Sequence, residues 1–256
     1  MKFSRPSPTP TSLPGRSGRV GRGTGANPIS VLTPTQERFL DAFFRETTSP
    51  DPFYLSGGTA LSAYYLQHRY SDDLDFFTRD PEALRFTNAR VERATTQTGL
   101  QVERAERMGE MIRYFFSGDT HPEHPLRKIE LIFDTPPYFA PPRRFENIFV
   151  DDLLRIAVNK LTINTRFEPK DYLDLYLIIR SGAYRLEDLI PLAKQKLVGI
   201  DEWTIAIQFK QVERLPNLTA FQTDYMITPV EPDELVRFYQ EWAARLFALF
   251  PPRRQD

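Results

Sequence analysis

Apolar positions along the chain alternate between helical spacing and strand spacing, and the changes mark out elements. Phe39, Leu40, Phe43 and Phe44 fall on one helical face with Ala42 beside them. Thr33 or Thr35 can cap that helix and Pro34 suits its first turn. Asp51 to Leu55 reads as a short strand stopped by Gly57-Gly58, and Thr59 to His68, free of Pro and Gly, as a helix. Pro81 to Gly99 reads as one further helix. Leu100 to Ala105, Met111 to Phe116 and Arg127 to Phe133 read as strands of an antiparallel meander. Thr135 to Asn147 holds four Pro and reads as a linker to a helical lobe. In that lobe helices are predicted over Asp151 to Asn164, Asp171 to Arg180, Leu186 to Leu197, Glu202 to Val212 and Asp233 to Leu249. The expected class is α+β, a mixed sheet flanked by helices and followed by a C-terminal helical lobe. The expected division is a tail over 1–30, a core over 31–147 and a helical domain over 148–256.

Chemistry concentrates around Leu55-Ser56-Gly57-Gly58-Thr59-Ala60-Leu61 and Asp73-Leu74-Asp75-Phe76-Phe77. A Gly-Gly turn that opens a helix offers backbone N–H groups at the positive end of the dipole, a seat for phosphate. Asp73 and Asp75 stand at i and i+2 of a strand-like run, so both carboxylates face one side. Such a pair repels unless a cation lies between them, and Mg²⁺ or Mn²⁺ holding substrate phosphates suits the purpose. The bland alternative is a polar turn after Tyr70-Ser71.

Strand, Gly-Gly turn, helix and Asp-x-Asp strand together resemble the polymerase-β-like nucleotidyltransferase superfamily. The fuller text, Gly57-Gly58-Thr59-Ala60-Leu61 with His68-Arg69-Tyr70-Ser71-Asp72-Asp73-Leu74-Asp75-Phe76-Phe77, resembles the AbiEii/AbiGii nucleotidyltransferase toxin family. Asn159-Lys160-Leu161 through Arg166, then Lys170-Asp171-Tyr172-Leu173-Asp174-Leu175-Tyr176, resembles that family's downstream motif. The resemblance implies that Gly57, Gly58 and the Thr59 hydroxyl or amide hold an NTP, and that Asp73 and Asp75 bind Mg²⁺ or Mn²⁺. It implies a third carboxylate on a strand beside the Asp-x-Asp strand, a metal ligand or a base for the attacking hydroxyl. Glu130 is the better match, although the family more often carries Asp there, and Asp134 is the fallback. Lys160 would neutralise phosphate charge, against the alternative of a snorkelling lysine. Asp171 and Asp174 share a helix face, as nucleotide or acceptor contacts or as a salt bridge that locks the lobes. Arg69 or Ser71 would orient the Asp pair. The implied function is transfer of NMP to a tRNA 3′ end or a protein hydroxyl by the toxin of a toxin–antitoxin or abortive-infection system, paired with a cognate antitoxin. Two rivals remain: a small-molecule, antibiotic-type nucleotidyltransferase and a non-catalytic nucleotide- or partner-binding module.

Composition narrows the partners. Residues 1–30 carry Lys2, Arg5, Arg16, Arg19 and Arg22 and no acid, leaving 28 basic against 34 acidic residues elsewhere, a net of −6. A globular part of that sign excludes general nucleic-acid binding and confines any RNA contact to a local site. The Pro-, Gly- and Ser-rich tail is expected to be disordered and lacks the apolar stretch of a secretory signal. The chain has no Cys, so no disulfide framework, thiol nucleophile or Cys zinc site is available. His68, His121 and His124 do not make a zinc set. Mean hydropathy of −0.43 argues against a membrane span, and a cytoplasmic location is expected.

Overall fold

The computed structural model describes residues 30–45, 52–162 and 167–250. The tail before Ser30, Asp51, Asn164, Arg166 and the Pro251-Pro252 stop lie outside the described residues. Helix α1 (Pro34–Phe44) is capped by Thr33, whose side chain accepts from the Gln36 N–H while the Gln36 side chain accepts from the Thr33 N–H. Strand β1 (Phe53–Ser56) runs into α2 (Gly57–Leu61), which continues as a π-helical turn over Ser62–Leu66. That turn closes with the Gln67 N–H donating to the Ser62 carbonyl, and Gln67 takes a left-handed conformation at φ 53°. The predicted helix through His68 therefore ends early, freeing His68 and Arg69 to turn inward. Strand β2 is Asp73–Thr78.

Pro81 to Gly99 is two pieces: a 3₁₀ segment (Pro81–Phe86), then α3 (Thr87–Thr98) closed by Gly99 at φ +79°. Ala83 and Leu84 bury on the first piece, Val91 and Ala94 on the second, so one apolar period spans a break. Strands β3 (Gln101–Met108), β4 (Met111–Ser117) and β5 (Lys128–Phe133) form the expected antiparallel meander. The stretch read as a linker contains β6 (Arg143–Phe145), which forms a hairpin with β7 (Ile148–Val150). The described strands make one mixed sheet in the order β3-β4-β5-β2-β1-β7-β6, with β2 parallel to β5 and β1 parallel to β7. The expected boundary at 147/148 falls inside the β6–β7 hairpin.

Six helices follow among the described residues: α4 (Leu153–Thr162), α5 (Pro169–Arg180), α6 (Leu186–Lys196), α7 (Glu202–Lys210), α8 (Leu218–Tyr225) and α9 (Pro232–Phe247). The short α8 is absent from the sequence reading. The class is the expected α+β.

The sheet's two faces differ. Leu74, Phe76, Ile129, Leu131, Ile112, Tyr114 and Phe116 point to the side of α1 and α3 and are buried. Phe43 stacks on Phe76 with ring centroids 4.1 Å apart, and Phe39 meets Phe116 at 5.7 Å. Stacks like these add about 1 kcal/mol each beyond the area they bury. With one face committed to this core, the intervening residues of each strand project from the other.

Candidate active site

Two rows of side chains cross that other face. Cross-strand register sets Glu106, Arg113, Glu130, Asp75 and Ser56 side by side from β3 to β1. The adjoining row is Arg104, Phe115, Lys128 and Asp73. Asp73, Asp75 and Glu130 thus meet on one surface, which their separation in sequence does not reveal. Asp134 lies beyond the end of β5 in a different network, held by Tyr54 Oη at 2.8 Å, Arg155 at 2.7 Å and Lys196 at 2.9 Å.

The glycines earn their positions by close approach. Gly57 has φ +68°, and a Cβ there would sit 2.1 Å from Asp75 Oδ2. A Cβ on Gly58 would sit 2.2 Å from Arg69 Nη2. The turn therefore lays bare backbone against a carboxylate on one side and a guanidinium on the other. The Thr59 hydroxyl donates to the Asp73 carbonyl, so it braces the strand.

Electrostatics separate the acids. Burial first, then the neighbouring Glu130 and Asp73 charges, push the Asp75 carboxyl up to about 6. Glu130 goes the other way: burial would raise it, but Lys128 and Arg113 outweigh that and hold it below its ordinary value. Arg113 Nε and Nη2 both lie 2.7 Å from Glu130 Oε1. Lys128 Nζ lies 3.3 Å from that same oxygen and 3.1 Å from Asp73 Oδ2. Glu130 is accordingly an ionised anchor and a weak proton acceptor. Neither Lys128 nor Arg113 was singled out from sequence. Their alternation with Glu130 and Phe115 was visible; their register against Asp73 was not.

Among the described residues no three acidic or His side chains stand close enough to enclose a metal ion by themselves. The donor set still suits one: Asp73 and Asp75 supply hard oxygens, and substrate phosphates are expected to complete the shell around Mg²⁺ or Mn²⁺. The Glu130 and Asp73 charges that add to burial in raising Asp75 are ones a divalent cation would offset.

Lys160, Asp171 and Asp174 are placed directly behind the Gly-Gly turn in a buried cluster. Asp174, fully buried, accepts from Arg69 Nε at 2.7 Å and Nη2 at 2.8 Å, contacts His68 Nε2 at 2.7 Å and pairs with Lys160 Nζ at 2.7 Å. Lys160 also pairs with Asp171 at 2.8 Å. Burial opposes an ionised Asp174, yet Arg69 and Lys160 hold it well below the carboxylate range. Burial also pushes His68 below its ordinary value, so the imidazole is neutral and its Nε2–H donates to Asp174. The Lys160 charge is felt at Asp75, where it opposes the upward shift. Ser71 also faces Gly58 beside Arg69, its Oγ 3.4 Å from a Cβ built there.

Comparisons with known proteins bear on the fold and the family. A 256-residue-chain match of 30% identity over 154 residues links it to the Aquifex aeolicus (strain VF5) protein aq_aa25, covering 58% of this chain and 68% of that one. The crystal structure of JHP933 from Helicobacter pylori is similar at TM-score 0.55 and 18% identity, covering 84% of this chain and 90% of that one. A putative nucleotidyltransferase from H. pylori is similar at TM-score 0.55 and 18% identity, covering 84% and 92%. These two structures speak to the fold alone. The profile described as nucleotidyl transferase AbiEii toxin, Type IV toxin–antitoxin system, matches residues 38–251, from the middle of α1 past the last described residue. With that span including both the Asp73/Asp75 face and the Lys160–Asp174 cluster, the chain belongs to the AbiEii nucleotidyltransferase toxin family.

Proposed function

We propose that this protein is a divalent-metal-dependent transferase that moves NMP from an NTP to a hydroxyl of a macromolecule, either a tRNA 3′ end or a protein side chain. The observation that carries the reading is the common face of Asp73, Asp75 and Glu130 beside the left-handed turn at Gly57. Asp73 and Asp75 would hold Mg²⁺ or Mn²⁺. The bound metal would neutralise charge on the α-phosphate and on the departing pyrophosphate.

The protein's own groups bind and orient. The Gly57, Gly58 and Thr59 amides cradle phosphate where no side chain intervenes. Glu130, fixed by Arg113 through Oε1, serves as ligand or orienting group beside Asp75, and its lowered pKa disfavours the base role. Lys160 contributes field from within its buried cluster, and Asp171 and Asp174 hold it and Arg69 in place. Toxicity of this activity in the cytoplasm would require a cognate antitoxin. No helix among the described residues is long and apolar enough to cross a membrane.

Incubation with Mg²⁺ and each α-³²P-labelled NTP, with total RNA and cell lysate as acceptors, tests the reading. Label should move to RNA or protein and should vanish with Asp73→Ala/Asp75→Ala. Transfer only to an added aminoglycoside would favour a small-molecule enzyme, and nucleotide binding without transfer would favour a binding module.

A further inference from the structure

Lys128 stands where the proposed metal site needs a cation. Its ammonium bridges Asp73 Oδ2 at 3.1 Å and Glu130 Oε1 at 3.3 Å, one carboxylate two residues before Asp75 on its own strand and the other directly across from Asp75 on β5. It is cross-strand partner to Asp73 itself, so its stem rises from the face that carries the acids. About a quarter of its side chain remains exposed, and so does a third of Asp73.

Arg113 is differently placed. It grips Glu130 through two nitrogens, and its Nη1 lies 3.9 Å from Glu106 Oε2, so it is tied on both sides. Lys128 makes only single-point contacts from a flexible stem, and an ammonium is a compact charge able to change partners. A divalent ion drawn to Asp73 meets the charge of that ammonium, already 3.1 Å from Oδ2, so the two cations compete for the same carboxylate.

We propose that Lys128 is a resident cation: it neutralises Asp73 and Glu130 before metal arrives, is displaced from Asp73 by the metal, and then pairs with the NTP phosphates. This rests on reading Asp73 and Asp75 as metal ligands. Two consequences follow from the exchange. Metal without nucleotide must compete with a tethered ammonium, so it binds weakly. Metal arriving with a triphosphate brings the anion that receives the released ammonium, so the site favours the metal–NTP complex over either component alone. Lys128 is thereby a nucleotide-binding residue and a determinant of binding order.

The test uses Mn²⁺ alone as probe, with bound and free ion measured by electron paramagnetic resonance on the full-length protein. Lys128→Met, which keeps the stem and removes the charge, should bind Mn²⁺ about tenfold tighter than wild type, a conservative size for removing one competing charge at about 4 Å. In the presence of Mn²⁺ the same variant should bind a non-hydrolysable NTP about tenfold more weakly. Lys128→Arg, which keeps the charge, should stay near wild type in its Mn²⁺ affinity and guards against a folding defect in the first variant. Unchanged or weaker Mn²⁺ binding by a folded Lys128→Met, with wild-type binding abolished by Asp73→Asn, overturns the role of Lys128 and leaves the metal site standing. No Mn²⁺ bound by wild type or by Lys128→Met overturns both.

Discussion

Gly57 and Asp75 set each other's limits. An alanine at Gly57 must adopt φ near +68° and place its Cβ 2.1 Å from Asp75 Oδ2. Backbone strain of that kind costs about 1–3 kcal/mol. Gly57→Ala is therefore expected to lower the urea unfolding free energy by that order and to cut label transfer by about a hundredfold or more, because Asp75 must move. Asp75 itself is a stability liability while metal is absent. Its folded pKa of about 6 exceeds the ordinary aspartate value of 3.8. The cost of folding with an ionised Asp75 is thus full above pH 6 and is relieved as pH falls from 6 towards 4. In the presence of a chelator at pH 7.5, Asp75→Asn should stabilise the protein by roughly 1–3 kcal/mol, and the gain should vanish near pH 4. Thermal denaturation at both pH values checks this, and a destabilised Asp75→Asn at pH 7.5 would contradict it.

Among elements, α5 and the Gly-Gly turn depend on one buried carboxylate. Asp174 on α5 compensates Arg69, itself only 2% exposed, and Lys160, and Arg69 in turn presses against Gly58. Removing one partner from such a buried cluster costs about 3–5 kcal/mol, because the remaining charges are left in low dielectric. Asp174→Ala should lose that much in chemical denaturation, far more than an exposed pair such as Arg45–Asp41, worth under about 1 kcal/mol. These elements also show what a linear reading can reach. The period-two alternation of Asp73 and Asp75, and of Lys128 and Glu130, fixed which residues share a strand face. It could not fix which strands adjoin, so the contact between Lys128 and Asp73 and the row from Arg113 to Asp75 needed the register. The strands β6 and β7 went unseen because each is three residues long and the Pro-rich run before them masks any alternation. The break at Phe86 was hidden because Ala83, Leu84, Val91 and Ala94 keep a helical apolar spacing across it. Asp171 and Asp174 were legible as one helix face through their spacing, and Lys160 through the family resemblance; the expected partner Lys170 pairs instead with Glu168, and Lys160 takes that place. Their partners His68 and Arg69 come from about a hundred residues away, and the left-handed Gln67 that delivers them carries no Gly or Asn signal.

At the scale of the whole molecule, the sheet and the C-terminal helices share one interior. Buried apolar side chains form a continuous cluster from Phe39 on α1 to Leu246 on α9. Strand β7, beyond residue 147, pairs with β1. The Tyr70 N–H donates to the Tyr225 carbonyl, and the Ile227 N–H to the His68 carbonyl, so the segment after α8 clasps the loop that leads into β2. The full chain is expected to unfold in a single transition with coincident near- and far-ultraviolet circular dichroism, and residues 148–256 expressed alone should lack a cooperative transition. A cooperative, independently folded 148–256 would contradict this. The most direct test of the account is anomalous diffraction at the manganese edge from crystals grown with Mn²⁺ and a non-hydrolysable NTP. The account predicts a peak within about 2.0–2.6 Å of carboxylate oxygens of Asp73 and Asp75, with the triphosphate against the Gly57–Thr59 amides. A triphosphate bound elsewhere, or a peak away from that pair, would contradict it.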